Sequence, residues 1–86
     1  GVIYFDRAAM ELEVGDYESA IEDLDKCLDM FPDYADGHYQ RGYIYALVGR
    51  FDEALEDMET CLQLPEESFS HEEIVQSIDE IRAAMQ

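Results

Sequence analysis

The feature that most constrains the fold of this chain is a repeat with a period of 34 residues. The segment GDYESAIEDLDKCLDMFP at 15–32 returns as GRFDEALEDMETCLQLP at 49–65. A unit of this length is typical of a helical repeat, which buries its apolar face only when a neighbouring unit stacks on it. The period therefore predicts an all-α protein. Eight positions are identical at the offset: Arg7/Arg41, Val14/Val48, Gly15/Gly49, Ala20/Ala54, Glu22/Glu56, Asp23/Asp57, Cys27/Cys61 and Leu28/Leu62.

Hydrophobic spacing divides each unit into two helices, because apolar residues recur at steps of three and four. The predicted helices span residues 2–14, 17–30, 35–48 and 52–64. Gly15 and Gly49 stand where each helix pair must turn, and Asp16 is placed to cap the helix that follows it. Pro32 and Pro65 come at the end of each unit, where proline stops a helix. The apolar stripe of the second helix is Tyr17, Ala20, Ile21, Leu24, Cys27, Leu28 and Phe31.

The last segment is not a third copy of the unit. Ser70 and Glu73 have the spacing of a capping box, which marks a helix start. We expect a capping helix at 70–85 that covers the second unit and presents its polar side to water. Its apolar stripe is Ile74, Ile78, Ile81 and Met85, with Val75 at the edge.

Charge narrows the classes of partner. The chain has five basic and 22 acidic residues and a formal net charge of −17, which argues against nucleic acid and anionic membrane surfaces. No apolar run has the length of a membrane span. The chain starts with Gly rather than Met, so we expect a piece of a longer protein. Cys27 and Cys61 are expected to remain buried thiols, because equivalent helices lie too far apart for a disulfide, and this fits a cytoplasmic location.

Taken together, these positions resemble two tandem tetratricopeptide repeats (TPRs). The family pattern expects small residues where Ala8, Gly42, Cys27 and Cys61 stand, glycine before the second helix, an aromatic at Tyr17 and Phe51, and alanine at Ala20 and Ala54. The resemblance implies a right-handed α–α superhelix of five helices. Two helix-turn-helix repeats, at 1–34 and 35–66, would be followed by the capping helix in a single domain, 1–86.

The first helix of each repeat departs from the family pattern at one position, and we base a hypothesis on it. Arg7 and Arg41 stand where the pattern usually has leucine, and Asp23 and Asp57 recur on the facing helix. We expect each arginine to pair with the aspartate of its own repeat, setting the register of the two helices rather than binding a ligand. The alternative is that both aspartates point to water.

The family geometry also implies a concave groove lined by the first helix of each repeat. Here it would be aromatic and mildly acidic. Some relatives of this kind hold a peptide carboxylate with Lys, Arg and Asn, but the corresponding positions are Phe5, Ala9 and Gln40. We therefore expect a neutral or basic peptide or helix as partner. The candidate binding residues are Phe5, Ala9, Leu12, Asp36, Tyr39, Gln40, Tyr43 and Leu47, with Val2, Asp6, Glu13 and Ala46 beside them.

The same aromatic residues also suit packing between repeats, so two function classes stay open. One is a non-catalytic adaptor or scaffold that binds a protein or peptide. The other is a structural segment that stacks in a larger repeat protein or forms a homo-oligomer through its uncapped N-terminal face. We expect no enzyme, metal or cofactor, since His38 and His71 are far apart and no catalytic or phosphate-binding motif occurs.

Overall fold

Five α-helices make up the computed structural model, which describes residues 2–64 and 70–86 and, for Val2, the backbone alone. They are α1 Val2–Glu13, α2 Tyr17–Met30, α3 Ala35–Leu47, α4 Phe51–Gln63 and α5 His71–Ala84. The prediction of an all-α helical repeat is confirmed. The role predicted for Pro65 lies outside the described residues.

The helix ends follow from the residues found there. Gly15 and Gly49 adopt φ values of +81° and +84°, a left-handed conformation that glycine reaches without a steric penalty. Asp16 Oδ1 accepts a hydrogen bond from the Ser19 amide at 3.3 Å, so the predicted cap of α2 is present. The capping box of α5 is also present, because Ser70 and Glu73 each bind the other's backbone amide through a side-chain oxygen.

The helices pack in succession: α1 on α2, α2 on α3, α3 on α4 and α4 on α5. Ala8, Ala20 and Ala54 are fully buried and let neighbouring helices approach closely. Leu24 and Met58 fill the space between them as two of the largest fully buried side chains. Each helix pair thus buries its apolar side against the next, and α5 closes the stack over α4.

Both cysteines are buried free thiols, as predicted. Burial raises the pKa of the Cys27 thiol, and burial together with the nearby carboxylates of Asp57 and Asp36 raises the pKa of Cys61 to about 12. The Cys61 thiol donates to the Ala35 carbonyl at 3.4 Å. These thiols are therefore packing residues that stay protonated at neutral pH.

Two details of the predicted apolar stripes are wrong. Phe31 is the C-cap residue of α2 and is 51% exposed, because the chain leaves the helix there and turns toward α3. Met85 likewise follows the last residue of α5 and is exposed. In both cases the stripe was extended past the point where helical spacing ends.

Candidate peptide-binding groove

Three of the predicted groove residues lie on one face of α3. Tyr39, Tyr43 and Leu47 follow one another at steps of four, which places them on successive turns. Tyr43 and Leu47 are each 47% exposed, so about half of each side chain is open to solvent. Tyr39 is half-buried at the edge of the core. The face therefore packs on the core at Tyr39 and is open to solvent at Tyr43 and Leu47.

A hydrogen-bond chain ties this face to α5. The Ser77 hydroxyl donates to the Glu73 carbonyl at 3.1 Å, so its oxygen is free to accept from the Tyr39 hydroxyl, also at 3.1 Å. Tyr39 is thereby held in one orientation by the capping helix. It forms part of the wall of the groove as well as part of the support for α5.

Two adjoining depressions run between α3 and α5, and we call them together the α3–α5 groove. The first encloses about 290 Å³ and is lined by Tyr39, Glu73, Gln76, Ser77 and Glu80. The second encloses about 140 Å³ and is lined by Tyr43, Ala46, Leu47, Met58, Ser77, Glu80, Ile81 and Ala84. Because Ser77 and Glu80 line both, a polar depression continues directly into an apolar one.

The other predicted groove residues are placed differently. Phe5, Ala9 and Leu12 are half-buried on α1, and none of them lines either depression. The Phe5 ring packs edge-on against Tyr34, with ring centroids 5.4 Å apart. Phe5 therefore joins α1 to the loop before α3. Asp36 and Gln40 are half-buried on α3 and also lie outside the lining of the two depressions.

Sequence reasoning missed the contribution of α5 to this groove. Gln76, Glu80 and Ala84 lie at steps of four beside the buried isoleucine stripe, so they form a face of their own. That spacing is visible in the sequence, but the capping-helix prediction leaves the polar side of α5 facing water alone. Because α5 packs beside α3, this face of α5 lines the α3–α5 groove as well as meeting water.

Charge in the groove is negative because the charged side chains that line it are glutamates. Arg41 binds Asp57 and Asp25, and Arg50 pairs with Glu53. Glu73 and Glu80 line the groove without a basic residue among its lining side chains. A cationic group entering the groove would meet carboxylates.

The predicted Arg41–Asp57 pair is present on the far side of α3. Arg41 donates to both Asp57 oxygens at 2.8 Å, from Nε to Oδ2 and from Nη2 to Oδ1. Burial alone would raise the pKa of Asp57, but hydrogen bonds from Arg41 and His38 outweigh it and lower the pKa. Arg41 Nη1 also donates to Asp25 of α2 at 2.8 Å. One guanidinium therefore ties α3 to its own repeat and to the preceding one.

His38 completes this cluster. Its Nδ1 lies 3.2 Å from Asp57 Oδ1 and its Nε2 lies 2.7 Å from the Pro32 carbonyl oxygen. Both partners accept hydrogen bonds, so the geometry favours the doubly protonated ring. The carboxylate of Asp57 and the Pro32 carbonyl raise the pKa of His38, although its burial and the Arg41 charge oppose the shift.

The equivalent pair in the first repeat is looser. Arg7 Nε lies 3.5 Å from Asp23 Oδ2, and the Arg7 side chain is 57% exposed whereas Asp23 is buried. Asp23 also faces Glu11, where the second repeat has Tyr45, and this neighbouring carboxylate raises the pKa of Glu11. The contact that the hypothesis predicts exists in both repeats, but its geometry is much better in the second.

Two features are absent from the part of the chain that the structure describes. No group of three or more His, Cys, Asp and Glu side chains in this part of the chain is arranged to hold a metal ion. None of the five helices combines the length and apolar character needed to cross a membrane.

Comparison with known proteins identifies the repeat. A family profile described as TPR repeat matches residues 10–49, and one described as tetratricopeptide repeat matches residues 35–64. Together the two matches span α2, α3 and α4 with most of the predicted repeat positions. No curated protein matches the chain.

Proposed function

We propose that this chain is an adaptor that binds a neutral or basic peptide or helix. The chain belongs to the tetratricopeptide-repeat family. Repeats of this family generally mediate protein–protein interaction without catalysis. The binding residues are Tyr39, Tyr43 and Leu47 with the facing side chains of α5. Phe5, Ala9, Leu12, Asp36 and Gln40 extend the surface along the first helices of the repeats.

The observation that carries the proposal is the exposure of Tyr43 and Leu47 at the apolar half of the α3–α5 groove. Large apolar side chains on a packed helix are normally covered, and clustered exposed ones mark interaction surfaces. Tyr43 offers both ring area and a hydroxyl, which suits a partner that is apolar on one side and polar on the other. An apolar partner side chain would fill the depression beside Leu47.

The polar half of the groove selects the charge of the partner. Glu80 borders both depressions and Glu73 borders the first. A lysine or arginine next to the apolar anchor of the partner would therefore meet a carboxylate, and the net charge of −17 would speed its association at low salt. An acidic peptide would meet repulsion at the same place. The two buried thiols are consistent with action in the cytoplasm.

Titration with a lysine–leucine amphipathic peptide, followed by NMR, tests this proposal. Chemical-shift changes are expected at Tyr43, Leu47 and Glu80, and the affinity should fall as salt rises. Replacing Tyr43 and Leu47 together by alanine should weaken binding by about tenfold or more, whereas Met10→Ala, which removes an exposed apolar side chain on α1, should not. A glutamate–leucine peptide that binds as tightly, or a double variant that binds unchanged, would refute the proposal.

A structural role through self-association is the second candidate. Ile3 and Met10 of α1 and Val14, which follows it, are exposed apolar residues, and this favours self-association. The net charge of −17 opposes it, because two copies repel each other. Sedimentation equilibrium over a wide concentration range separates the two roles. The mass of an adaptor stays that of a monomer, whereas the mass of a self-associating segment rises with concentration.

A further inference from the structure

Two buried oxygen atoms at the contact between α1 and α2 have no hydrogen-bond partner among the described residues. They are Oε1 of Glu11 on α1 and Oδ2 of Asp23 on α2. The Asp23 residue is 2% exposed, so its carboxyl group is almost completely shielded from water. A buried carboxylate oxygen without a donor has lost its hydration and has no hydrogen bond in its place. This position therefore requires a donor.

The second repeat shows how the same aspartate is satisfied when donors surround it. Asp57 stands 34 positions after Asp23 and is 3% exposed. Arg41 donates to both of its oxygens at 2.8 Å, and His38 Nδ1 lies 3.2 Å from Oδ1. In the first repeat, Arg7 Nε lies 3.5 Å from Asp23 Oδ2, which is an ion pair without a hydrogen bond. Asp23 thus has a weaker set of donors than its equivalent.

Glu11 occupies the place from which a donor can come. It stands where the second repeat has Tyr45, and its carboxyl group is in hydrogen-bond contact with that of Asp23. Two ionised carboxylates accept hydrogen bonds but donate none, so the contact is repulsive while both are charged. One proton between the two groups makes one of them a donor and satisfies the other.

We propose that Glu11 and Asp23 form a proton-binding site that joins α1 to α2 as the pH falls. Glu11 carries the proton, because it is half-buried at the edge of the contact, whereas Asp23 has the Arg7 charge beside it. The Glu11 carboxyl O–H then donates to Asp23. When the proton leaves, the two charges repel and the Glu11 side chain turns toward water. The first hairpin is therefore held more tightly in mildly acidic solution than at neutral pH.

The charges that act on Glu11 agree with this placement of the proton. The contact with Asp23 raises the pKa of Glu11 above its ordinary value of 4.5, and burial raises it further. The charge of Arg7 on the same helix opposes the shift, and that of Asp16 at the start of α2 adds to it. The folded chain therefore binds this proton more strongly than the unfolded chain does.

Other basic groups on the packed helices have partners elsewhere. Lys26 of α2 lies over the Tyr4 ring, with Nζ 5.6 Å from the ring centroid. On α3, which packs on α2, both Arg41 and His38 bind Asp57. The carboxyl pair is therefore relieved by a proton rather than by a second basic residue.

Carboxyl ¹³C NMR of the full chain from acid to neutral pH tests the site. The Glu11 Cδ resonance should titrate at a pH above 4.5, and the Asp23 Cγ resonance should change in the same step because the two groups share the proton. In Arg7→Met the step should move to higher pH, because the opposing charge is removed. Titration of Glu11 at or below 4.5, or the absence of a linked change at Asp23, would overturn the proposal.

Hydrogen exchange reports whether the proton holds α1 in place. Protection factors of the α1 amides should fall in the native chain as the pH rises through the Glu11 step. Glu11→Gln, whose amide donates to Asp23 at every pH, should keep them high. Glu13→Gln removes the same charge from an exposed position of α1 and should retain the pH dependence of the native chain. Both variants keep the shape of the side chain, so both should fold.

Two results of these experiments would contradict the proposal. One is α1 protection in the native chain that does not change through the Glu11 step. The other is a Glu11 step that magnesium, added at constant ionic strength, moves to lower pH, because this would show a bound cation in the place of the proton.

Discussion

Arg41 and Asp57 should contribute much more to stability than the equivalent pair in the first repeat, and double-mutant cycles can measure the difference. The variants are Arg41→Met and Asp57→Asn, alone and together, with Arg7→Met and Asp23→Asn as the matched cycle. Each replacement keeps the approximate shape of the side chain. The coupling free energy of unfolding then isolates the pair from the other contacts that each residue makes.

The magnitudes follow from the geometry. Arg41 donates two hydrogen bonds of 2.8 Å to a carboxylate that is 3% exposed, and its own side chain is 21% exposed. Such charge-assisted bonds are poorly screened, so we expect a coupling of about 2 to 3 kcal/mol. Arg7 makes one contact of 3.5 Å with 57% of its side chain exposed. Solvent screening reduces that coupling to about 0.2 to 1 kcal/mol.

Chemical and thermal denaturation followed by circular dichroism provides the assay. A loss of 1 kcal/mol lowers the melting temperature of a domain of this size by about 4 to 8 °C, so Asp57→Asn should lower it by roughly 10 to 20 °C. Added salt should reduce the Arg7–Asp23 coupling and leave the Arg41–Asp57 coupling nearly unchanged. Equal coupling in the two repeats, or an Arg41–Asp57 coupling below about 0.5 kcal/mol, would refute the reasoning.

Three further predictions concern pH and backbone geometry. The pKa of Glu11 is raised beside Asp23, so the ionised form of Glu11 destabilises the fold. Glu11→Gln should therefore raise the melting temperature at neutral pH and have no effect in acid, where Glu11 is already protonated. Thermal scans at neutral and acidic pH check this. The pKa of His38 is raised in the fold, so its stabilising contribution is complete below its ordinary pKa of 6.5 and is lost as pH rises through the higher folded value. The free energy of unfolding should therefore decline as the pH rises above about 6.5 in the native chain and stay flat in His38→Gln. A parallel decline in the variant would contradict this. Gly49→Ala should cost about 1 to 2 kcal/mol in denaturant titrations, because the residue has φ of +84°, and a neutral result would mean that the turn relaxes.

Much of the fold was predictable from the sequence because it depends on local patterns. Helix spacing, the glycine turns, the Asp16 cap and the Ser70 capping box are each set by residues within a few positions of one another. The stacking order was predictable from the 34-residue period, because each repeat buries its apolar side only against the repeat that follows or precedes it. Even the Arg41–Asp57 contact was predictable, because both residues recur at the same offset.

The shape of the groove was less predictable because it depends on how α5 docks. The sequence predicts Tyr39 as a groove residue of the first helices, but its bond to Ser77 requires α5 to lie beside α3. The offset of 34 carries no information about this contact, since α5 is not a copy of an earlier helix. The contacts of His38 were unpredictable for the same reason, because its two hydrogen-bond partners come from the loop after α2 and from α4.

The most direct test of the account is a long-range NOE measurement on the methyl-labelled full chain. The account depends on α2 lying against α3, which stacks the two repeats, and on α5 lying beside α3, which forms the groove. The account predicts NOEs from the Leu28 methyl groups to the Gly37 α-protons and from the Tyr39 ring to Ser77. Within-repeat NOEs such as those between Gly42 and Met58 serve as the internal reference. Strong reference NOEs without either long-range set would show two hairpins that fold but do not stack, and would contradict the account.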